Sequence, residues 1–432
     1  MSRILIATLP AEGHVRPGVP IAKVLVDQGH DVTWYTGNKF KSMVAGTGAR
    51  FAPVGEIVGI GDGDVLRDRD GWPGISGMKK VITEAFLDPI PQYVADLTEV
   101  AEKFDPDILI ADHCFMASPV VAGKLGLPNV IFSVGPLILS SVDTAPFGTG
   151  LSPSSAPIGR LRNKAMMWMA RKVLFRGPQR LAENIWRGLG LEPPPGFIMD
   201  WGAQLADRYL QASIPEFEYP RSDLLETVEF IGPMLPPPPS DWSVPAWWSD
   251  IAEARQAGRP VVLVTQGTSN NDLTQLVLPA IEALGGQDML VIATTAGPDP
   301  EEVMPAARRP ANLRLVRFIP FTELLPLTDL MVTNGGFGGV QMALASGVPL
   351  VVTGSEDARA EVGALAVWTG AGLSLHTEHP SADQLRKAAV TVLGKGAYRA
   401  SAQRLKAAYA RYSGPERAAE VVLEMAGERQ KA

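Results

Sequence analysis

The stretch that decides the fold reads LMVTNGGFGGV and covers residues 330–340. Its apolar start, Leu330 to Val332, has the length of a buried strand and passes directly into a glycine-rich segment that opens a predicted helix ending at Gly347. Glycines let a ligand approach the backbone closely, and a helix start offers free N–H groups and the positive end of a dipole. A tight turn needs one or two glycines rather than four, so the pattern favours a pyrophosphate cradle. Its glycines are Gly335, Gly336, Gly338 and Gly339.

Strand and helix patterns alternate on both sides of this stretch. In the second half, apolar runs predict strands at 260–265, 289–294, 313–316, 330–332 and 349–352, with helices at 273–284, 321–327 and 340–346. The first half predicts strands at 4–8, 31–36, 107–111 and 129–133, and a helix at 15–29. Such runs are typical of parallel strands buried on both faces. The predicted fold class is α/β, with two Rossmann-like, doubly wound parallel-sheet domains facing a central cleft, and ligands of such sheets bind at the carboxyl ends of the strands.

A proline-rich connection separates the two halves. Residues 236–239 are four consecutive prolines, which favour a stiff polyproline-type segment. The predicted organisation is an N-terminal domain over 1–216, a linker over 217–245 and a C-terminal domain over 246–400. A helical segment over 401–432 follows, which can pack back on the N-terminal domain.

Composition and charge exclude several classes of function. The 432 residues contain 39 Lys and Arg against 46 Asp and Glu, a net charge of −7, and we expect neither a local basic cluster nor a nucleic-acid partner. The single cysteine, Cys114, excludes an internal disulfide or a zinc site built on cysteines and is typical of a reducing compartment. We therefore expect a cytoplasmic protein. The expected oligomeric state is a monomer or a homodimer.

The apolar segments are too short for a membrane span. No run reaches the ~20 residues that a spanning helix needs, so no stable membrane insertion is expected. The stretch 161–174 mixes basic residues with Met166, Met167, Trp168 and Met169. It is interpreted as lining a pocket, and an amphipathic segment resting on a membrane surface is the alternative. It lies within 140–195, which is predicted to be a long irregular insertion of the kind that surrounds ligands.

Several motifs occur in an order that resembles one known family. They are PAEGHVRP at 10–17, QGT at 266–268, RFIP at 317–320, NGG at 334–336, GVPL at 347–350 and the pair Glu356-Asp357. Together they resemble the family-1 glycosyltransferases of the GT-B fold, and most of all the bacterial enzymes that glycosylate macrolides, polyketides and phenolics. The likeness spans nearly the whole chain. A dinucleotide oxidoreductase is disfavoured, because neither half has a Gly-x-Gly-x-x-Gly pattern after its first strand.

The resemblance implies an inverting, metal-independent O-glycosyltransferase without a cofactor. Its co-substrate would be a nucleotide diphosphate sugar, TDP- or UDP-linked, and its acceptor a hydroxyl of a small hydrophobic natural product. His14 would be the base that deprotonates this hydroxyl, a role worth about 10²–10⁴-fold in rate, and Asp112 would hold the imidazole tautomer. The residues alone also allow a structural His14 and an Asp112 that caps a helix. His113 and Cys114 adjoin Asp112, but two adjacent ligands without a third do not predict a metal.

The C-terminal motifs imply the donor contacts. These residues are Gln266, Gly267, Thr268, Phe318, Ile319, Asn334, Gly335, Gly336, Gly338, Gly339, Gln341, Glu356 and Asp357. Phe318 replaces the usual Trp and is expected to stack on a pyrimidine. Asn334 replaces the usual His and can still donate to phosphate. Met342 replaces the Glu that accepts ribose hydroxyls in uridine enzymes, so Gln341 is the candidate for that contact and a deoxyribose nucleotide is an alternative.

The acceptor contacts are expected in the N-terminal domain. The candidates are Trp72, Phe86, Phe115, Met116 and Pro136. A second function stays open, in which the chain is a catalytically silent GT-B homologue that binds a nucleotide or activates another enzyme. The altered donor signature motivates it. Retention of both His14 and Asp112 argues against it.

Overall fold

Two parallel sheets organise the chain, whose computed structural model describes residues 1–55, 74–235, 242–267 and 272–429. Seven described strands form the first sheet in the order β3-β2-β1-β4-β5-β6-β7, and six form the second in the order β10-β9-β8-β11-β12-β13. The strands of the first sheet are β1 Arg3–Ala7, β2 Asp31–Thr36, β3 Arg50–Pro53, β4 Ile108–Asp112, β5 Asn129–Phe132, β6 Arg208–Gln211 and β7 Val228–Phe230. Those of the second are β8 Val261–Thr265, β9 Leu290–Thr294, β10 Leu313–Val316, β11 Leu330–Thr333, β12 Leu350–Val352 and β13 Gly372–Ser374.

Helices connect the strands and cover both faces of each sheet. In the first half they are α1 Glu12–Val15, α2 Gly18–Asp27, α3 Lys41–Ala45, α4 Gly74–Val81, α5 Ile90–Phe104, α6 Ser118–Leu125, α7 Pro157–Met169, α8 Arg176–Gly188 and α9 Trp201–Gln204. In the second half they are α10 Ser249–Gln256, α11 Val277–Leu284, α12 Pro300–Val303, α13 Phe321–Leu324, α14 Phe337–Ala345, α15 Asp357–Trp368, α16 Ala382–Gly394, α17 Gly396–Tyr409 and α18 Gly414–Arg429. Two π-helical turns, Ile82–Leu87 and Ala170–Leu174, extend α4 and α7.

The central strands are buried along their whole length, as their apolar runs predict. All five residues of β4 and all five of β8 are buried. Alternate side chains of such a strand enter separate apolar clusters on the two faces of the sheet, for example Leu109 on one face and Ile110 on the other. The predicted α/β class with two doubly wound sheets is therefore confirmed.

Two predicted segments differ from the structure. The range 217–245 contains β7, which adds a seventh strand to the first sheet, so part of this range belongs to the N-terminal domain rather than to a linker. A three-residue strand at a sheet edge has too few residues to show a periodic pattern. The range 140–195 is also not irregular throughout, because it contains α7 and α8. The four prolines at 236–239 lie outside the described residues.

The last two helices belong to different domains. Ala402, Leu405 and Tyr409 of α17 join the C-terminal core, whereas Val421 and Val422 of α18 pack into the core of the N-terminal sheet. The chain therefore returns to its first domain at the end. None of the described helices is long and apolar enough to cross a bilayer.

The carboxyl ends of the strands face the other domain. The N–H of Gly148, in the connection that follows β5, donates to Glu361 Oε2 at 3.0 Å, and Glu361 lies on α15, which follows β12. The cleft between the sheets is thus bounded by the loops in which the sequence places its candidate site.

Candidate active site

A buried imidazole–carboxylate pair lies at the carboxyl end of the N-terminal sheet. His14 is on α1, directly after β1, and Asp112 is the last residue of the neighbouring strand β4. Their atoms His14 Nδ1 and Asp112 Oδ1 are 2.7 Å apart. Because a carboxylate can only accept, His14 carries its proton on Nδ1 and leaves Nε2 as the basic atom. The structure thus brings together the two residues that the sequence proposes as base and partner.

Three donors hold Asp112 in its ionised form. Its Oδ2 accepts from Leu9 N–H at 2.7 Å, and its Oδ1 accepts from Cys114 N–H at 2.9 Å in addition to His14. Burial opposes ionisation, but His14, His113 and the Leu9 N–H outweigh it and keep the pKa of Asp112 below its usual value. The carboxylate is therefore charged at neutral pH and stabilises the imidazolium that forms when His14 takes a proton.

A second imidazole, His113, lies beside the first. The two rings are nearly parallel, with centroids 5.9 Å apart and planes inclined by 23°. Val134 N–H donates to His113 Nδ1 at 3.3 Å, and burial, together with the neighbouring His14, lowers the pKa of His113 to about 4. His113 is thus neutral at physiological pH, with its proton on Nε2. The sequence suggests His113 only as a metal ligand. Its stacking on His14 depends on the fold, so sequence reasoning missed it.

The side chains around Asp112 lie close enough together to resemble a metal site, but proximity is their one feature in common with such a site. Within the described residues, His14, Asp112 and Cys114 place one ligand atom each within 4.8 Å of one another. The His14 and Asp112 atoms, however, are already engaged in a charge-assisted hydrogen bond at 2.7 Å, shorter than two ligands of one metal ion usually approach. These residues fit a proton relay better than a metal centre.

The glycine-rich loop forms the start of α14 after β11, as predicted. Gly335 has a positive φ of 97°, and a Cβ there would lie 3.0 Å from Val352 Cγ1, so glycine is required by the turn. At Gly336 and Gly338 a Cβ would meet no described atom within 4 Å. These two positions present bare backbone to open space at a helix start, the arrangement that suits a phosphate. Gly339 is less open, because a Cβ there would lie 3.7 Å from the ring of Phe321.

Two predicted donor loops are tied to each other. Asn334 Nδ2 donates to the backbone oxygen of Gln266 at 2.6 Å, which joins the ends of β11 and β8. One N–H of the amide is thereby used, and the second is left for a ligand. Gly267 follows with a positive φ of 73°. Thr268 lies outside the described residues.

Gln341 does not face a nucleotide, which corrects the prediction. Its side chain is 2% exposed, Nε2 donates to Ala212 O at 2.7 Å, and Oε1 accepts from Tyr409 Oη at 3.3 Å. Ala212 follows β6, so Gln341 bridges the two domains. Adjacency to Met342 suggested a role at the ribose, but the direction of a helical side chain depends on how the helix packs.

The side chains of the other donor candidates differ in how much they are exposed to solvent. Phe318 is 61% exposed, as a stacking platform for a base requires, whereas Ile319 is 9% exposed and belongs to the C-terminal core, so only its backbone is offered. Glu356 precedes α15. The side chain of Asp357 lies outside the described part of the structure.

The sequence missed Glu378, which holds the Glu356 loop in place. Its Oε1 accepts from the N–H groups of Ser355 at 2.7 Å and Glu356 at 3.1 Å, and its Oε2 pairs with Arg359 at 2.9 Å. One carboxylate thus fixes the turn that carries the predicted sugar contacts. Glu378 is separated from this turn by a helix and a strand, so no local motif could reveal it.

The acceptor candidates differ in their exposure. Phe86 and Met116 are half-buried on the N-terminal core and stay predictions. Phe115 is wrong, because it is 1% exposed and its ring packs against Tyr35 and Tyr93 inside that core. Pro136 is likewise buried rather than lining an open surface. Trp72 lies outside the described residues.

Two buried carboxyl groups lie where the domains meet. Burial raises the pKa of Glu218 to about 7, although Arg221 and the Leu137 N–H oppose this shift. Burial also raises the pKa of Glu361, against the N–H groups of Gly148 and Gly150. The interface therefore contains two carboxyl groups that hold their protons more tightly than usual, and Glu218 is the one that titrates near neutral pH.

Comparisons with known proteins place this chain among glycosyltransferases. Residues 280–425 match a family described as "Erythromycin biosynthesis protein CIII-like, C-terminal domain". The chain is 41% identical to 4'-demethylrebeccamycin synthase of Lentzea aerocolonigenes over 95% of this chain and 96% of that protein. It is 32% identical to UDP-glycosyltransferase 2 of Phaeomoniella chlamydospora over 94% and 92% of the two chains. The fold matches the calicheamicin glycosyltransferase CalG4 with a TM-score of 0.75 at 20% identity, over 99% of this chain and 98% of that one.

Proposed function

Because this chain belongs to the family-1 glycosyltransferases of the GT-B fold, of the bacterial natural-product type, we propose that it is an inverting O-glycosyltransferase. The substrates proposed are a pyrimidine nucleoside diphosphate sugar and a small hydrophobic natural product with a free hydroxyl. The observation that carries the proposal is the 2.7 Å contact between His14 Nδ1 and Asp112 Oδ1, which leaves Nε2 as a base at the cleft.

The proposed reaction is a single displacement. His14 Nε2 takes the proton of the acceptor hydroxyl while that oxygen forms a bond to the anomeric carbon of the sugar. The bond from this carbon to the β-phosphate oxygen breaks, and its electron pair leaves with the nucleoside diphosphate. Attack opposite to the leaving group inverts the anomeric configuration. Asp112 stabilises the imidazolium.

The leaving diphosphate would be bound at the start of α14. The N–H groups of its first turn lack partners within the helix, and Gly336 and Gly338 leave room for close approach. These groups and the helix dipole would stabilise the charge that develops on the leaving oxygen, without a metal. Dialysis against EDTA is therefore expected to leave the rate unchanged.

The structure favours a thymidine donor over a uridine donor. Gln341 is the one polar side chain of α14, and its amide is engaged between Ala212 and Tyr409. The helix therefore offers no side-chain acceptor to a ribose 2'-hydroxyl, which a deoxyribose lacks. The name of the Phaeomoniella relative indicates uridine instead. Thermal shifts with TDP and UDP separate the two, since the better ligand stabilises the fold more.

Mass spectrometry tests the activity. Purified protein is incubated with TDP- and UDP-sugars and a panel of phenols and macrolides, and the acceptor should gain the mass of one sugar. NMR of the anomeric proton of the product should show the configuration opposite to that of the donor. His14→Ala should abolish this transfer and retain the thermal shift with TDP. Turnover by His14→Ala would exclude His14 as the base. A protein that binds TDP but transfers nothing to any acceptor would instead support the silent nucleotide-binding homologue, which the altered donor signature at Asn334 and Met342 motivates.

A further inference from the structure

Helix α7 is packed with its apolar side toward the solvent. Asn163 is its one buried residue, and the π-helical turn that follows buries Ala170. Large apolar side chains on both segments are instead exposed, by 84% at Ile158, 69% at Leu161, 63% at Trp168, 45% at Met169 and 57% at Val173. A helix of a water-facing surface normally shows the reverse arrangement.

The exposed residues of α7 form one continuous stripe. Ile158, Leu161, Ala165 and Trp168 are separated by three, four and three residues, which at 3.6 residues per turn places them on one side of the helix. We call this set the apolar stripe. Asn163 lies on the opposite side and donates to Val142 O at 3.1 Å, which fixes that side against the protein. The apolar stripe therefore points outward.

The segment from α7 to the end of α8 carries a dense positive charge, which corrects the expectation that the chain has no local basic cluster. Residues 157–188 contain eight Lys and Arg and one acidic residue, a net charge of +7, in a chain whose total is −7. Arg160 pairs with Asp143 and Arg187 with Glu183. The other six, Arg162, Lys164, Arg171, Lys172, Arg176 and Arg180, form no ion pair within the described residues.

We propose that this face binds the surface of an anionic lipid bilayer. An exposed apolar stripe with flanking Lys and Arg is the pattern of a helix that lies in a membrane interface, and an indole such as that of Trp168 is suited to the headgroup level. A second copy of this chain would bring two strongly positive faces together, so charge disfavours self-association here. The bilayer supplies negative charge that complements the Lys and Arg of this face, and an apolar layer that can cover the apolar stripe.

The position of α7 links this contact to the acceptor side. Met167, on its inner side, packs on the N-terminal core together with the acceptor candidates Phe86 and Met116. Binding at α7 would hold the acceptor side of the cleft next to the bilayer, in which a hydrophobic acceptor dissolves. This second step rests on the proposed function, whereas the lipid binding itself does not.

Vesicle cosedimentation of the full chain tests the proposal. Vesicles contain either phosphatidylcholine alone or equal parts of phosphatidylcholine and phosphatidylglycerol. We expect binding only to the mixed vesicles, and its loss when salt is raised from about 0.05 M to about 0.5 M. Lys164→Glu with Lys172→Glu should lower the partition coefficient by about 30-fold or more, because each basic residue near such a surface contributes about fivefold.

A second variant and a control separate charge from apolar contact. Leu161→Gln with Trp168→Gln removes half of the apolar stripe and should reduce binding by about tenfold or more. Val390→Gln with Lys395→Glu changes an equally exposed pair on the C-terminal domain and should bind as the unchanged protein does. All variants are first shown to have unchanged melting temperatures.

Three outcomes would overturn the proposal. The first is no binding to mixed vesicles, which would leave a protein partner as the occupant. The second is equal binding by all variants. The third is self-association in sedimentation experiments that the Leu161→Gln with Trp168→Gln variant abolishes, which would make this face an interface between copies of the chain.

Discussion

Replacement of Asp112 by Asn should reverse the tautomer of His14. Asp112 faces donors on both oxygens, with Leu9 N–H on Oδ2 and Cys114 N–H and His14 on Oδ1. An amide has one oxygen and must turn its NH2 toward one of these sides. Leu9 is 1% exposed and Cys114 is half-buried, so losing the Leu9 bond costs more. The oxygen therefore stays on Leu9, the NH2 faces His14, and the imidazole proton moves to Nε2.

The expected loss is close to that of removing the base. A His14 protonated on Nε2 cannot take the hydroxyl proton, and general base catalysis is worth about 10²–10⁴-fold. The lost carboxylate charge also destabilises the imidazolium, which places the expected fall in kcat near about 10⁴, or about 5.5 kcal/mol in activation free energy. The start of α14 is untouched, so TDP affinity should stay within about twofold.

Initial rates of nucleoside diphosphate release, measured across pH, and titration calorimetry with TDP check both expectations. Asp107→Asn is the matched control, because Asp107 Oδ2 accepts from Arg3 N–H at 2.7 Å at the other end of the β4 region and, within the described residues, forms no hydrogen bond to an imidazole. It removes the same kind of backbone contact and should keep normal turnover. The reasoning fails if Asp112→Asn retains more than about a tenth of the wild-type kcat, or if both variants lose turnover equally.

Three further predictions concern the donor side and the interface. Gly338→Ala should raise the melting temperature, because Ala favours a helix by about 1 kcal/mol over Gly, yet it should weaken TDP binding by about tenfold or more in calorimetry. Gly396→Ala, at another open helix start, is the control and should leave TDP binding unchanged. Equal TDP binding by the two variants would place the phosphate site elsewhere. Glu378→Gln removes the pair with Arg359 and should lower kcat/KM for the sugar donor by about tenfold with little change in TDP affinity, and a normal kcat/KM would contradict its positioning role. Burial raises the pKa of Glu218 to about 7, so the folded state binds its proton more tightly than the unfolded chain does. The free energy of unfolding should therefore fall by about 3 kcal/mol as pH rises from about 4.5 to about 7. Chemical denaturation of Glu218→Gln across the same pH range should lack this fall.

The parts of the site that sequence could predict are those set by local strand ends. His14 follows the short buried strand β1 and Asp112 ends the neighbouring strand β4, and parallel strands bring their carboxyl ends together, so their contact follows from topology. The glycine loop was predictable for the same reason, since Gly335 needs its positive φ within a few residues of β11. Such features depend on backbone geometry over short distances.

The parts that sequence could not predict depend on how helices and loops pack against distant neighbours. Gln341 turns into the domain interface, Phe115 turns into the core although Met116 beside it stays half-exposed, and Glu378 reaches a turn more than twenty positions away. Helix α7 is the strongest case, because the rule that apolar residues face inward predicts the wrong side of it. A departure of that kind is a sign of an interaction outside the chain.

The two proposed binding sites, the donor site at α14 and the lipid-binding face at α7, bind negative charge in different ways. Cations near the donor loops are already engaged, with Arg317 paired to Asp299 and Arg359 to Glu378. A diphosphate would therefore be bound mainly by backbone N–H groups and a helix dipole at a short distance, where salt screens little. The basic residues around α7 act across water on a charged surface, where salt screens strongly. Raising the salt from about 0.05 M to about 0.5 M should thus change the TDP dissociation constant by less than about threefold and vesicle partitioning by more than about tenfold. Equal salt dependence of the two would contradict this division of charge.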